Sequence, residues 1–478
     1  MPWHPSYLEQ VLKPDYGFAC KHLSCYFLDA MCAHVATVKQ LPSVQMHRAR
    51  IETLEAALRD LYDNSPAYDP DIPDLYFHFN HILEDKLGQD TVSFLRLGLS
   101  RNDLDMTVYK MYNRKLLLEL VSNLGKLRRA LVKHAKAHLD TVLIAYTHHQ
   151  PGQPTSLAHY LLAVEAALGR DCERALQAFA RLNTCPLGAA ALAGSSHPLE
   201  RSHSAKLLGF DTPVANTYDA VASADWQTDL AHVSQSAALT LSRFVCDLLG
   251  WATQHLFHVP DGLVQGSSIM PQKRNPVALE HARTHFSRAL GAAQSIFYAQ
   301  HNIPFGDLND FGPDIQGSLR NLFKQLGGGL ALLVASLEGG KFNEVALAEL
   351  AAQSDTTATE LADVLTRDFD VSFQQGHQLA AALVMHQQAR EQALQAATPE
   401  DLAAIGGPQL AVNTLQDALS PQAFISRRNG FGGPARSSLK PQVMHAEHQL
   451  NVHLGTLQKH HHKLEDASQR LRARKEAA

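Results

Sequence analysis

The chain has no run of about 18 apolar residues, the length a membrane-crossing helix needs. Its nearest approach, around Leu330 to Leu337, is far shorter, so no membrane partner is expected. The amino end, Met1-Pro2-Trp3-His4, has no basic patch followed by an apolar segment; no signal peptide is expected, and the expected location is the cytoplasm. Cysteine is scarce. The six residues Cys20, Cys25, Cys32, Cys172, Cys185 and Cys246 form no Cys-x-x-Cys pair and read as reduced thiols. Neither sign of charge dominates, with 42 Lys and Arg against 47 Asp and Glu. The missing basic excess excludes a nucleic-acid partner but leaves room for a small anionic substrate at one local cationic cluster. His-Glu-x-x-His, EF-hand, Walker and dinucleotide patterns are also lacking, so neither a metal nor any other cofactor is expected. The run His460-His461-His462 has no Cys or carboxylate at ligand spacing and reads as part of a solvated helix. Gly327 to Gly329 are not followed by Gly-Lys-Ser/Thr, and close helix packing accounts for them better than a phosphate loop.

What the chain does have is helical periodicity. Strand-like alternation is sparse, whereas Leu124, Leu127, Leu131, Ala135 and Leu139 recur at three- and four-residue spacing and form one apolar stripe. Similar stripes run through 157–180, 227–254, 277–299 and 315–337. With 45% hydrophobic and 19% charged residues the chain can bury a large core. The expected fold is all-α, a bundle of long helices. Its parts divide as an N-terminal helical region over 1–105, a central bundle over 106–355 and a smaller helical region over 356–478.

Polar, Gly- and Pro-punctuated segments interrupt the helices at 146–156, 186–198, 259–276 and 300–313, where placed functional groups tend to sit. The most suggestive runs Gly266-Ser267-Ser268-Ile269-Met270-Pro271-Gln272-Lys273-Arg274-Asn275-Pro276. Backbone N–H groups, two hydroxyls, the Lys273 ammonium and the Asn275 amide together suit a carboxylate. On residue types alone, a polar surface loop fits equally well.

This segment closely resembles the signature loop of the fumarase, aspartase and argininosuccinate lyase superfamily, and its Gln-Lys-Arg-Asn form is most similar to the argininosuccinate lyase branch. Three more segments agree in order. Ser100-Arg101-Asn102-Asp103 resembles the branch's Ser-Arg-Asn-Asp motif. Thr147-His148, Gln150 and Gln153-Pro154 resemble its Thr-His-x-Gln segment. Pro186-Leu187-Gly188 to Gly194, with the Arg201 region and Leu208-Gly209-Phe210, resembles the next block. Residues 421–434, with Arg427 and Arg428, resemble the C-terminal region. The resemblance spans roughly residues 75 to 440 and implies a fumarase/aspartase-like three-domain helical fold.

The resemblance further implies a carbon–nitrogen lyase that reversibly eliminates fumarate from an N-substituted aspartate. It makes Ser267 the catalytic base and His148, paired with Glu280, the acid/base group at the amine. It assigns substrate binding to Ser100, Arg101, Asn102, Thr147, Gln150, Ser268, Lys273, Asn275 and Gln316. It implies a homotetramer whose active sites are shared between subunits, with a small amine–succinate adduct and fumarate as partners. Two alternatives stand beside this: a true argininosuccinate lyase giving arginine, and a catalytically silent structural relative. The sequence departs from the family where the arginine half is met. Asp314-Ile315-Gln316 keeps the glutamine, but Leu319 stands where a lysine is usual, and the usual tyrosine is not evident. His149 occupies a place where relatives carry an apolar residue. Asp307 and Asp310 are either partners for a cationic amine or loop-capping residues.

Overall fold

The computed structural model describes residues 3–63 and 66–473. Five long helices form the body: α1 (Arg101–Ala137), α2 (Leu157–Leu182), α3 (Asp225–Thr253), α4 (Val277–Gln300) and α5 (Pro313–Gly339). A sixth, α6 (Arg436–Ala473), returns along α1 and α2. The all-α expectation holds, and α1 to α5 each lie on a stripe seen in the sequence. At 37 residues α1 runs roughly 55 Å at the standard rise. Leu117, Leu120, Val121, Leu124, Leu127 and Leu131 are all buried along it, which continues the spacing that predicted it.

The glycine run at 327–329 lies where α5 meets α4. A Cβ on Gly329 would come within 2.5 Å of the Phe286 ring, so only glycine admits this approach. Helices of the amino-terminal region, including Ser24–Val38, share the same apolar core through Phe27, Met31 and Val35. Residues Leu361 to Leu419 build a second, smaller core. Beside it the buried carboxylate of Glu360 accepts from Arg427 at 3.2 Å and Arg428 at 2.6 Å. Those arginines, conspicuous in the sequence, hold the carboxyl-terminal region together. His460, from the histidine run, packs its ring on Phe179 at 4.3 Å between centroids. Residues 474–478 of that tail lie outside the described residues.

Strand is confined to short pieces, and one of them corrects the sequence reading. Residues 146–156 were expected as a loop, yet β1 (Val142–Thr147) and β2 (Gln150–Ser156) form an antiparallel hairpin. The apolar arm Val142-Leu143-Ile144 is buried and anchors it. Pro151 and Pro154 are tolerated because a two-stranded hairpin leaves each strand a free edge that needs no ladder N–H.

Candidate functional site

The candidate residues fall into three places on the chain. The first is the hairpin tip. Thr147 pairs with Gln150, which leaves His148 and His149 as a two-residue turn. Their φ angles are 51° and 61°, both left-handed, the pattern of a type I′ turn. Side chains other than glycine cost roughly 1–2 kcal/mol each in that region, and the turn displays Thr147, His148, His149 and Gln150 to the outside. His149→Gly relieves one of the two costs. Its thermal midpoint should rise, by a stabilisation of about 0.5–1 kcal/mol; a lowered midpoint would contradict the left-handed assignment.

The second place is the loop between β3 (Gln265–Gly266) and β4 (Arg274–Asn275). The two short strands pair antiparallel, so residues 267–273 project from a closed neck. Arg274 secures that neck, donating from Nη2 to the Val259 carbonyl at 3.1 Å and pairing with Asp261. Within the loop, the Ser267 hydroxyl oxygen accepts from the N–H groups of Met270 at 3.2 Å and Ile269 at 3.4 Å. Ser268 and Lys273 are exposed, Asn275 is half-buried at the neck, and Ile269 stands 83% exposed. Glu280 lies exposed in the first turn of α4, where the helix dipole favours a carboxylate. Among the described residues no hydrogen bond or ion pair joins His148 to Glu280, or either of them to Ser267.

The third place is the start of α1. Ser100 caps the helix and Asp103 completes a capping box, accepting the Ser100 N–H at 2.9 Å. The Ser100 hydroxyl also donates to Asn102 Oδ1 at 3.1 Å. The second Asp103 oxygen accepts the Gly188 N–H at 2.7 Å, which ties the 186–194 block to the helix. Burial pushes the Asp103 carboxyl up to about 7 despite these donors. The folded chain therefore keeps a proton that the unfolded chain loses near pH 4, and the resulting stability falls as pH rises from 4 towards 7. Asp103→Asn removes this contribution. The drop in denaturation midpoint between pH 5 and 7 should be smaller in the variant than in the parent; an unchanged drop would assign it elsewhere.

Arg101 is exposed but not idle. Its Nη1 donates to Asp74 at 3.0 Å, and its Nε lies 3.7 Å from Asp105. Beside it opens a cavity of about 200 Å³ whose lining includes Asp15, Asp74, Arg101, Asp105, Tyr109 and Gln316. Gln316 is buried, accepting from Asn113 at 3.1 Å and donating to the Gly312 carbonyl at 3.0 Å. The chain thus brings Arg101 and Gln316 to one cavity. Ser100, Asn102, Thr147, His148, Gln150, Ser267, Ser268, Lys273, Asn275 and Glu280 do not line it. Asp15, Asp105, Tyr109 and Asp314 do, and sequence reasoning did not single them out as site residues. Asp105 and Tyr109 follow Arg101 at four-residue steps on one helix face, a signal that was there to be used. Asp15 has no local signal. Of the two loop acids, Asp307 has its carboxyl raised by burial against the pull of Arg101, while Asp310 stands near Asp314.

Among the described residues no His, Cys, Asp and Glu group has the arrangement of a metal site, and no helix is long and apolar enough to cross a membrane.

Residues 16–291 match the family described as "Lyase", and residues 355–426 match the family described as "Argininosuccinate lyase C-terminal". The chain is 32% identical over 450 residues to "Argininosuccinate lyase 2" of Agrobacterium fabrum, covering 91% of this chain and 88% of that protein. It is 33% identical over 402 residues to the argininosuccinate lyase of Methanospirillum hungatei, covering 82% and 80%. Among solved structures, EDDS lyase in complex with formate superposes with a TM-score of 0.88 at 26% identity, covering 98% of this chain and 95% of that one. The class II fumarase of Schistosoma mansoni shares the fold, with a TM-score of 0.69 at 18% identity and coverage of 84% and 90%.

Proposed function

Because the chain belongs to this lyase family, within the fumarase/aspartase superfamily, we propose that it is a carbon–nitrogen lyase acting reversibly between an N-substituted aspartate and an amine plus fumarate. The observation that carries the reading is the necked loop 267–273, which offers Ser267, Ser268 and Lys273 on one short segment. Removing the C3 proton of an aspartate adduct is difficult because negative charge builds on the neighbouring carboxylate. Lys273, Asn275 and the loop N–H groups answer this by gripping that carboxylate. Ser267, as alkoxide, takes the proton; the C–H electrons form the C2–C3 double bond, and the C2–N bond breaks. The two N–H groups already aimed at the Ser267 oxygen favour its ionised form. His148, oriented by Glu280, supplies the proton to the departing amine. Ser100, Arg101, Asn102, Thr147, Gln150 and Gln316 complete the substrate contacts.

These groups would meet in a homotetramer in which each active site draws on several subunits. That accords with the absence of any bond between His148, Glu280 and Ser267 within one chain. Six free thiols accord with a reducing, cytoplasmic setting. A true argininosuccinate lyase is the second reading, favoured by the identity to the Agrobacterium fabrum protein. Leu319 at the usual lysine position argues for a different amine. Following fumarate by its ultraviolet absorbance, with argininosuccinate in one direction and fumarate plus an amine panel in the other, tests both. Turnover of argininosuccinate selects the second reading. Silence with every substrate refutes both.

A further inference from the structure

A second cavity, of about 500 Å³, lies among the helices Lys13–His22 and Ser24–Val38, α1 and α5, and no residue assigned to the lyase site lines it. Its unpaired charge is of one sign. Lys21, Arg320 and Lys324 line it with no carboxylate partner among the described residues. The other two charges, Lys115 and Glu119, stand 4.0 Å apart and cancel. Like charges gathered in one cleft repel unless an anion sits among them. The His22 ring stacks on Tyr112 at 6.1 Å between centroids, and its pKa is lowered by burial and then by Arg320 and Lys21. Cations from two walls thus act on one ring. The glycine run adds an independent observation. Packing on Phe286 accounts for Gly329, but a Cβ on Gly327 would meet only Asn123 Nδ2, at 3.9 Å, so there the missing side chain keeps the cavity open.

We propose that this cavity is a binding site for a small phosphorylated anion whose diphosphate group is held by Lys21, Arg320 and Lys324. The site is separate from the lyase chemistry and does not depend on it. A phosphoryl group brings about two negative charges and three strong acceptor oxygens. Those oxygens point to several sides, which suits two ammonium groups and a guanidinium arriving from different helices. A flat carboxylate faces one way and would leave one wall unanswered. Tyr26 and Tyr112 give the lining an aromatic surface that a ring esterified to the diphosphate can cover. A free diphosphate and a diphosphate ester share the same anion chemistry.

Calorimetric titration of the wild-type protein with pyrophosphate and with ADP, in saturating fumarate so that the lyase site is filled, tests this. At least one probe should bind with a Kd below about 0.1 mM. Tighter binding of ADP assigns the ligand as an ester carrying a ring, and equal or weaker binding assigns it as the free diphosphate. The double variant Lys21→Gln, Lys324→Gln changes two exposed side chains and should bind at least about tenfold more weakly. Lys440→Gln, outside the cavity, should bind as the parent does. Gly327→Leu keeps every charge, suits a helix better than glycine and fills the space, so it too should weaken binding at least about tenfold. A Kd above about 0.1 mM for both probes overturns the proposal. So does affinity kept in the double variant, or lost equally in Lys440→Gln. Affinity kept in Gly327→Leu overturns it as well, because the attraction would then be diffuse surface charge rather than a built site.

Discussion

Ser267→Ala should lower the rate of fumarate release about a thousandfold, the usual worth of a positioned base, with KM little changed. The alanine cannot take the C3 proton, but Lys273 and Asn275 still hold the carboxylate. The neck of the loop does not depend on this hydroxyl, because β3, β4 and the Arg274 contacts lie outside it. The variant should therefore keep its helical content and oligomeric state, which circular dichroism and sedimentation check. A catalytically silent structural relative predicts no change at all, because there would be no rate to lose. Activity kept in the alanine variant would remove Ser267 from the role of base.

The second large effect concerns stability. Arg128 and Glu165 are 1% and 3% exposed, and the Arg128 Nε lies 2.7 Å from the carboxylate. A further nitrogen of Arg128 reaches His453 at 2.8 Å, so one guanidinium ties α1, α2 and α6 together. Burial raises the Glu165 carboxyl against the opposing pull of Arg128. Arg128→Met would leave a carboxylate in the core with no counter-charge, which costs about 3–5 kcal/mol. The double variant Arg128→Met, Glu165→Leu removes both charges and should recover most of that loss. Chemical-denaturation midpoints of the two variants separate the outcomes. A single variant within about 1 kcal/mol of the parent would show that the pair contributes little.

The long helices were legible because each is amphipathic over many turns, and the α1 stripe from Leu124 to Leu131 is enough to place its core face. The cap of α1 was not read there: Ser100 and Asp103 stand at capping-box spacing, but their place in the Ser-Arg-Asn-Asp motif drew attention to substrate binding instead. The hairpin was not. Its second arm carries Pro151, Gly152 and Pro154, which look like loop chemistry, and only tertiary anchoring of Val142 to Ile144 makes it strand. Nor does any sequence pattern foretell a left-handed histidine pair at its tip. The acidic cavity stayed hidden for a different reason: Asp15, Asp74, Asp105 and Asp314 come from distant segments, and only packing makes them neighbours. The Ser267 loop was conspicuous from its residues, but its neck of two paired dipeptides lies below the length at which periodicity speaks.

The most direct test of the account is to incubate the protein with fumarate and each amine of the panel in deuterium oxide and follow the mixtures by proton NMR. The account predicts an N-substituted aspartate carrying one deuterium at C3 in a single diastereomer, formed by the parent protein and not by Ser267→Ala. No adduct with any amine, or the same adduct at the same rate from the alanine variant, would contradict it.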